Sequence, residues 1–331
     1  MKKLTILLLV LCFSSLGFSL DLYDSGYTAE TYVTYSGSNV DIPHDMTFDD
    51  NHNLYITQRG DNGIIWKVDS TASSVSSLVT GLDSPRGIDW GGGTDYEDYL
   101  YVNLAGDADK VIKVSTSGSY SNFTSIYDSP APLEIDKEGN YNERLYSGTT
   151  GYDSLYEVTT GGSSSVFSSF PGDVSDGGYF AINFDPGSDY GGSMYVGTAY
   201  SGGTPPAEGL FAMDISGNAT RFSDDVTHVW GIEFDPFSDF HDDMFVNCIL
   251  SGVSGRGIYR VQPDETASLF ADSMYTMRAY AFGNDGAMYV SEFIDATDTV
   301  IISKITPIPE PASFCLLGLG SFFLLRKRKS L

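Results

Sequence analysis

Residues 231–261 read GIEFDPFSDFHDDMFVNCILSGVSGRGIYRV. The stretch opens on a short apolar segment, Gly231-Ile232-Glu233-Phe234. An acidic, proline-bearing turn leads to Met244-Phe245-Val246, and a Gly/Ser loop to Ile258-Tyr259-Arg260-Val261. Alternation with period two is what a half-buried strand needs, and Asp, Pro, Gly and Ser are turn residues. The same order of parts recurs six times. The first strands contain Met46-Thr47-Phe48, Gly87-Ile88-Asp89-Trp90, Glu134-Ile135-Asp136, Ala181-Ile182-Asn183-Phe184, Gly231-Ile232-Glu233-Phe234 and Ala279-Tyr280-Ala281-Phe282. The second strands open at Leu54, Leu100, Leu145, Met194, Met244 and Met288, at spacings of 46, 45, 49, 50 and 44 residues.

A unit of this length with three or four strands is the mark of a β-propeller blade. A fourth strand follows each of the first five units, at Val75–Val79, Asn122–Tyr127, Ser165–Phe170, Thr220–Ser223 and Ser268–Asp272. The sixth has none, because Thr306 runs directly into prolines. One spare alternating segment, Glu30–Tyr35, lies near the other end. Pairing it with the sixth unit closes a ring and hides an edge that would otherwise template aggregation. The expected fold is therefore all-β, a six-bladed propeller closed by an N-terminal strand.

The two ends have a different character. Lys2 and Lys3 precede an uncharged apolar run from Leu4 to Phe18, and small residues Gly17 and Ser19 stand before Leu20, the pattern of a secretory signal peptide over 1–19. At the other end, Pro307-Ile308-Pro309-Glu310-Pro311 leads into the apolar run Ala312–Leu325, then Arg326-Lys327-Arg328-Lys329. As a helix that run of 14 residues would rise only ~21 Å, less than the ~30 Å of bilayer hydrocarbon. It suits a short hydrophobic tail helix lodged in a membrane, with its cations on the cytoplasmic side. The expected domains are 1–19, 20–306 and 307–331.

The chain has 44 acidic and 18 basic residues, a charge of −26. With both ends set aside, 12 basic and 43 acidic residues remain. Such a body repels phosphate backbones, which excludes nucleic-acid binding. With 22 Tyr, 20 Phe and 36 Gly it is not composed like a disordered chain. Cys248 is the single cysteine of the body, so no disulfide staples it. On a strand, Cys248 is expected as a small buried residue.

Pro309, Glu310, Pro311, the hydrophobic stretch and the closing Arg326, Lys327, Arg328 and Lys329 together resemble the PEP-CTERM sorting signal of Gram-negative bacteria. That resemblance implies processing by exosortase, a membrane transpeptidase-like enzyme, in bacteria that make extracellular polysaccharide. The body resembles NHL-type propellers in a general way. The turns Phe184–Tyr190 and Phe234–Phe240 are more particular to this chain.

In a propeller the first strand of each blade lines a central channel. Aligning the six units puts His44, Arg86, Leu133, Phe180, Trp230 and Arg278 in one column and Asp45, Gly87, Glu134, Ala181, Gly231 and Ala279 in the next. Two arginines and a histidine around one opening of so acidic a body make a candidate site for an anion or sugar acid. Trp230 could stack on a pyranose face, and Arg86 and Arg278 could fork onto a carboxylate. The competing expectation is that these arginines pair with Asp45 and Glu134 as links across the axis. His228, just before the column, could face the same opening.

The carboxylates between first and second strands, among them Asp95, Asp98, Asp185, Asp189, Asp235, Asp239, Asp242 and Asp243, suit plain turns. Weak Ca²⁺ binding is the one cofactor their oxygen-rich loops would allow. No Gly-x-Ser-x-Gly elbow and no His-Glu-x-x-His motif occurs. The sequence thus points to an exported envelope or extracellular propeller acting as a binding or matrix module, with polysaccharide as the expected partner. The alternative is a metal-dependent, lactonase-like hydrolase using Asp45 and Glu134.

Overall fold

The computed structural model describes residues 20–309 apart from 61, 107–108, 128, 151–153, 170–176, 188, 201–207 and 251–255; the expected signal peptide and the tail from 310 onward lie outside the described residues. Six antiparallel sheets follow one another along the chain. Blade one runs Pro43–Phe48, Leu54–Gln58, Gly63–Val68 and Val75–Leu82 from the axis outward. The inner strands of blades two to six are Pro85–Trp90, Pro130–Ile135, Gly177–Phe184, Val226–Phe234 and Thr276–Phe282. Each inner strand packs against the next, and the sixth packs against the first. The ring is closed.

The closure is the expected one. Strand Tyr27–Ser36 pairs with Thr299–Pro307, the third strand of blade six, from Tyr27 opposite Pro307 to Ser36 opposite Thr299. One feature was not legible: Leu20–Leu22 adds a fifth strand to the outer edge of blade five, opposite Ala271–Ser273. Three residues are too few to display an alternation. The observed outer strands agree with those expected within a few residues, for example Tyr120–Ser125 in blade two and Ala267–Ser273 in blade five. Cys248 is fully buried on the strand Met244–Leu250, and burial pushes its thiol pKa up.

The acidic turns explain how neighbouring blades hold together. Asp185 accepts the backbone N–H groups of Gly187, Tyr190 and Gly192 at 2.8–3.2 Å, which fixes the turn and aims Tyr190 at the next blade. There the Tyr190 hydroxyl donates to the Val261 carbonyl (2.6 Å) and accepts from the Met244 N–H (3.0 Å). Tyr96 bridges Val158 and Leu145 in the same way, and Tyr141 bridges Met213 and Met194. Orphan backbone groups at three blade junctions thereby gain partners. At the fourth such place stands Phe240, which stacks on Tyr27 of the closing strand with ring centroids 4.7 Å apart.

Candidate functional site

The channel has two ends with different chemistry. We refer to the face where inner strands begin as the front and the face where they end as the back. Each of the six inner strands slips register once against its neighbour, between Pro43 and Asp45, Pro85 and Ile88, Pro130 and Leu133, Tyr179 and Ala181, Thr227 and Gly231, and Met277 and Tyr280. An extra residue in one strand of a pair re-aims the side chains beside it. That irregularity lets residues of both parities reach the axis.

Pairing with the second strand fixes the columns. Thr47, Asp89, Glu134, Asn183, Glu233 and Ala281 stand opposite Tyr55, Tyr101, Tyr146, Tyr195, Phe245 and Tyr289. Counting back three positions gives His44, Arg86, Ala131, Phe180, Trp230 and Arg278. Blade three was therefore misaligned by two residues in the sequence columns: Ala131 takes the place given to Leu133, and Pro132 that given to Glu134. The cause is Pro130-Ala131-Pro132, which interrupts the alternation there. Glu134 stands level with Asp89 and Glu233 in the pairing register, and it lines both the front cavity and the back chamber.

At the front, His44, Asp45, Glu134, Phe180, Trp230, Glu233 and Arg278 are among the residues lining one cavity of about 40 Å³, room for no more than a few waters. Phe180 meets Trp230 edge-on at 4.8 Å, and the Arg278 guanidinium lies 5.3 Å over the Trp230 ring. A face of the indole expected to stack on a sugar is thus taken by an arginine. Arg86 donates from Nη1 to Thr150 Oγ1 (2.8 Å), while its buried Nε meets no hydrogen-bond partner among the described residues. Burial, together with the Arg59 charge, lowers the Arg86 pKa to about 10. Burial holds the His44 imidazole well below its ordinary pKa, and Arg278, Arg86 and Arg59 add to the effect. Arg59, one residue beyond the second strand of blade one, is a fourth basic group at this mouth, and no sequence pattern singled it out. No ion pair within 4 Å joins Arg86 or Arg278 to Asp45 or Glu134, so the expected links across the axis do not form. His228 lies 3.0 Å from Glu208.

At the back the channel widens to a chamber of about 260 Å³, lined by Asp45, Thr47, Asp89, Glu134, Lys137, Asn183 and Glu233 among others. Asp89 accepts from the backbone of Trp90 (2.7 Å) and of Ile135 in the next blade (2.9 Å), and from Lys137 Nζ (2.7 Å). Asp45 accepts from Met46 and from Ile88 of the next blade. Enclosure by protein pushes the Asp45 pKa up to about 7. Burial also raises Glu134, helped by the Asp89 charge, and Glu233, helped by the charges of Asp45 and Asp89. The back is predominantly anionic, whereas at the front the Arg278 guanidinium shares its cavity with the carboxylates of Asp45, Glu134 and Glu233, and Arg59 and Arg86 add positive charge around His44.

The channel does not fit a resident metal ion of the kind a lactonase-like hydrolase would use. Both Asp45 oxygens hold backbone N–H groups, Asp89 is engaged by Lys137, and no group of three or more acidic, histidine or cysteine residues among those described is arranged to hold a metal.

Residues 307–329 match the PEP-CTERM protein-sorting motif. No curated protein matches the chain. Among solved structures it is similar to a gluconolactonase, XC5397 from Xanthomonas campestris (11% identity, TM-score 0.62, covering 85% of this chain and 89% of that one). It is also similar to an auxiliary nutrient binding protein from Bacteroides thetaiotaomicron (12%, 0.60, 84% and 76%) and to a luciferin-regenerating enzyme (12%, 0.59, 86% and 96%). At such identities the likeness is one of fold. The protein is a six-bladed propeller of the kind also found in lactonases. It carries a C-terminal PEP-CTERM signal, the build of an exported protein associated with the cell envelope. No helix among the described residues is long and apolar enough to cross a membrane.

Proposed function

We propose that this chain is an envelope or extracellular binding module whose front channel mouth takes an anionic ligand, the carboxylate of an acidic polysaccharide. The observation that carries the reading is the gathering of His44, Arg59, Arg86 and Arg278 at one opening of a body with only 12 basic residues. His44 is neutral here, so the charges gathered are the three guanidinium groups, which a bound anion would offset in addition to the Asp109 carboxylate that already acts on Arg86. The unpartnered Arg86 Nε is a buried donor that a carboxylate oxygen would satisfy, and a guanidinium gives such an anion two parallel donors. With only about 40 Å³ behind the mouth, a terminal or side-group carboxylate fits better than a whole sugar ring. His44, Phe180, Trp230 and Arg278 are its front-mouth contacts; Asp45 and Glu134 line the channel behind them. The sorting motif brings in an exosortase-type enzyme as processing partner through Pro309, Glu310 and Pro311, and the basic cluster Arg326–Lys329 holds the tail in the membrane before that step.

The test is a glycan array and titration calorimetry with the full chain in detergent, comparing uronic-acid oligosaccharides with neutral ones. Binding should favour the acidic set, weaken as salt rises, and fall at least tenfold in Arg86→Ala with the fold intact. A blank array would support a spacer without a ligand and end this reading, as would binding that Arg86→Ala leaves unchanged.

A further inference from the structure

The tail and the channel are connected by geometry. The last strand, Thr299–Pro307, runs from front to back: Thr299 lies beside Ile294 and Ser36, whereas Ile305 lies beside Met288, itself opposite Phe282 where the inner strand ends. The pairing continues one residue further, with the Ile308 N–H donating to the Gly26 carbonyl at 2.7 Å. The chain therefore leaves the body at the back face of blade six, held there by the closing strand. Leu20, at the other end, sits opposite Ser273 at the level of the front face.

We infer that the tail holds the propeller with its back face toward the lipid surface and its front mouth turned outward. The inference rests on the reading that the apolar run 312–325 lodges in the membrane, and it deepens the proposed function by saying from which side the ligand arrives.

Length decides the matter. Five Cα–Cα steps separate Pro307 from Ala312, a reach of at most ~18 Å in any conformation. Of that, ~5–8 Å is taken by the headgroup layer of one leaflet. Bringing the front face to the lipid would require the tail to run back along blade six, from the level of Pro307 to that of Thr299, about 27 Å at ~3.3 Å per residue. The linker is too short. The front mouth must then lie several Debye lengths, each ~8 Å at physiological salt, from the headgroup charges. Its cations remain available to a soluble or extracellular anion.

The experiment uses the full chain in phosphatidylcholine vesicles containing brominated lipid, which quenches fluorophores near the acyl chains. Cys12 and Cys315 are replaced by serine, the buried Cys248 is left, and one bimane-labelled cysteine is placed at Ser216→Cys in a back-face turn or Met274→Cys in a front-face turn. Quenching at Ser216→Cys should exceed that at Met274→Cys several-fold. Equal quenching in a chain that floats with the vesicles would mean an edge-on propeller, and stronger quenching at Met274→Cys an inverted one; either overturns the inference. A chain that does not float removes the anchoring on which the inference rests, and the inference with it. Glycan binding by the detergent-solubilised chain is read separately, so failure of the mouth to bind is distinguishable from failure of the orientation.

Discussion

Lys137 Nζ lies 2.7 Å from Asp89 Oδ1, which makes it the counter-ion of a chamber that also holds Asp45, Glu134 and Glu233. Among the chamber-lining residues, with Glu138 counted, one cation faces five carboxylates. The four besides Asp89 have raised pKa values in the folded chain, with Asp45 at about 7, against ordinary values near 4 when unfolded. Between those limits the folded state binds more protons, so stability falls as pH rises from about 4.5 through 7. The turn carboxylates Asp69, Asp214 and Asp264 are shifted down by their hydrogen bonds, and stability they contribute is lost as pH drops below about 4. His44, whose imidazole is held well below its ordinary pKa, opposes the chamber carboxylates, because stability it contributes is lost as pH falls below about 6.5. The optimum should therefore lie between about pH 5 and 7. Removing one repelling charge, Glu233→Gln, should raise the Tm at pH 8 by about 2 °C, equivalent to about 1 kcal/mol in a chain of this size, and change little at pH 5. Calorimetry at the two pH values checks this; a lower Tm at pH 8 would show that Glu233 is not under strain.

The tyrosines that bridge blades give a second test. Tyr190→Phe leaves the Met244 N–H and the Val261 carbonyl without the hydroxyl that joins them. A buried group stripped of its partner costs about 1–3 kcal/mol. Urea unfolding should show a loss in that range, whereas Tyr120→Phe, at a side chain 52% exposed, should show none.

How much could be seen without coordinates differs from one place to another. The ring and its closure were legible because the sixth unit lacks a strand and Glu30–Tyr35 has no other partner. The front mouth was legible in part: His44, Phe180, Trp230 and Arg278, which the pattern aligns, line one cavity, while Arg86 is outside the cavity lining and bonds Thr150. Blade three escaped because prolines at 130 and 132 hide the period. The back chamber escaped for another reason. Lys137 follows the strand in the turn, and only its long stem brings its charge back to Asp89. Glu233 and Asn183 read simply as the polar half of an alternation, and only the folded ring shows that they share a level with Glu134.

The small residues at the axis are required by the approach of backbones. A Cβ built on Gly87 would lie 2.5 Å from the Ala131 carbonyl oxygen and 2.6 Å from the Leu133 nitrogen, both main-chain atoms of the next blade. Backbone in a paired strand cannot yield as a side chain can. Gly87→Ala should therefore cost about 2–3 kcal/mol, read as a lower urea midpoint, although the position carries no side-chain interaction at all.

The closing strand carries the most demanding test, because a propeller can hold its sheets yet lose its ring. Tyr27 stacks on Phe240, meets Phe270 edge-on at 5.2 Å, and accepts a hydrogen bond from Arg260 Nη2 (3.1 Å). Arg260 is held in turn by Asp24 and Asp243, so one residue joins the closing strand to blade five as well as blade six. Tyr27→Phe removes only the hydroxyl and should cost about 1 kcal/mol. Tyr27→Ala removes the ring and should cost about 3–5 kcal/mol. If Tyr27 pins the ring shut, the second variant should also speed hydrogen exchange of the Thr299–Pro307 amides well before those of Leu145–Thr149 in blade three. A uniform rise over all six blades would mean that closure and blade stability are one cooperative unit, and that Tyr27 serves as an ordinary core residue.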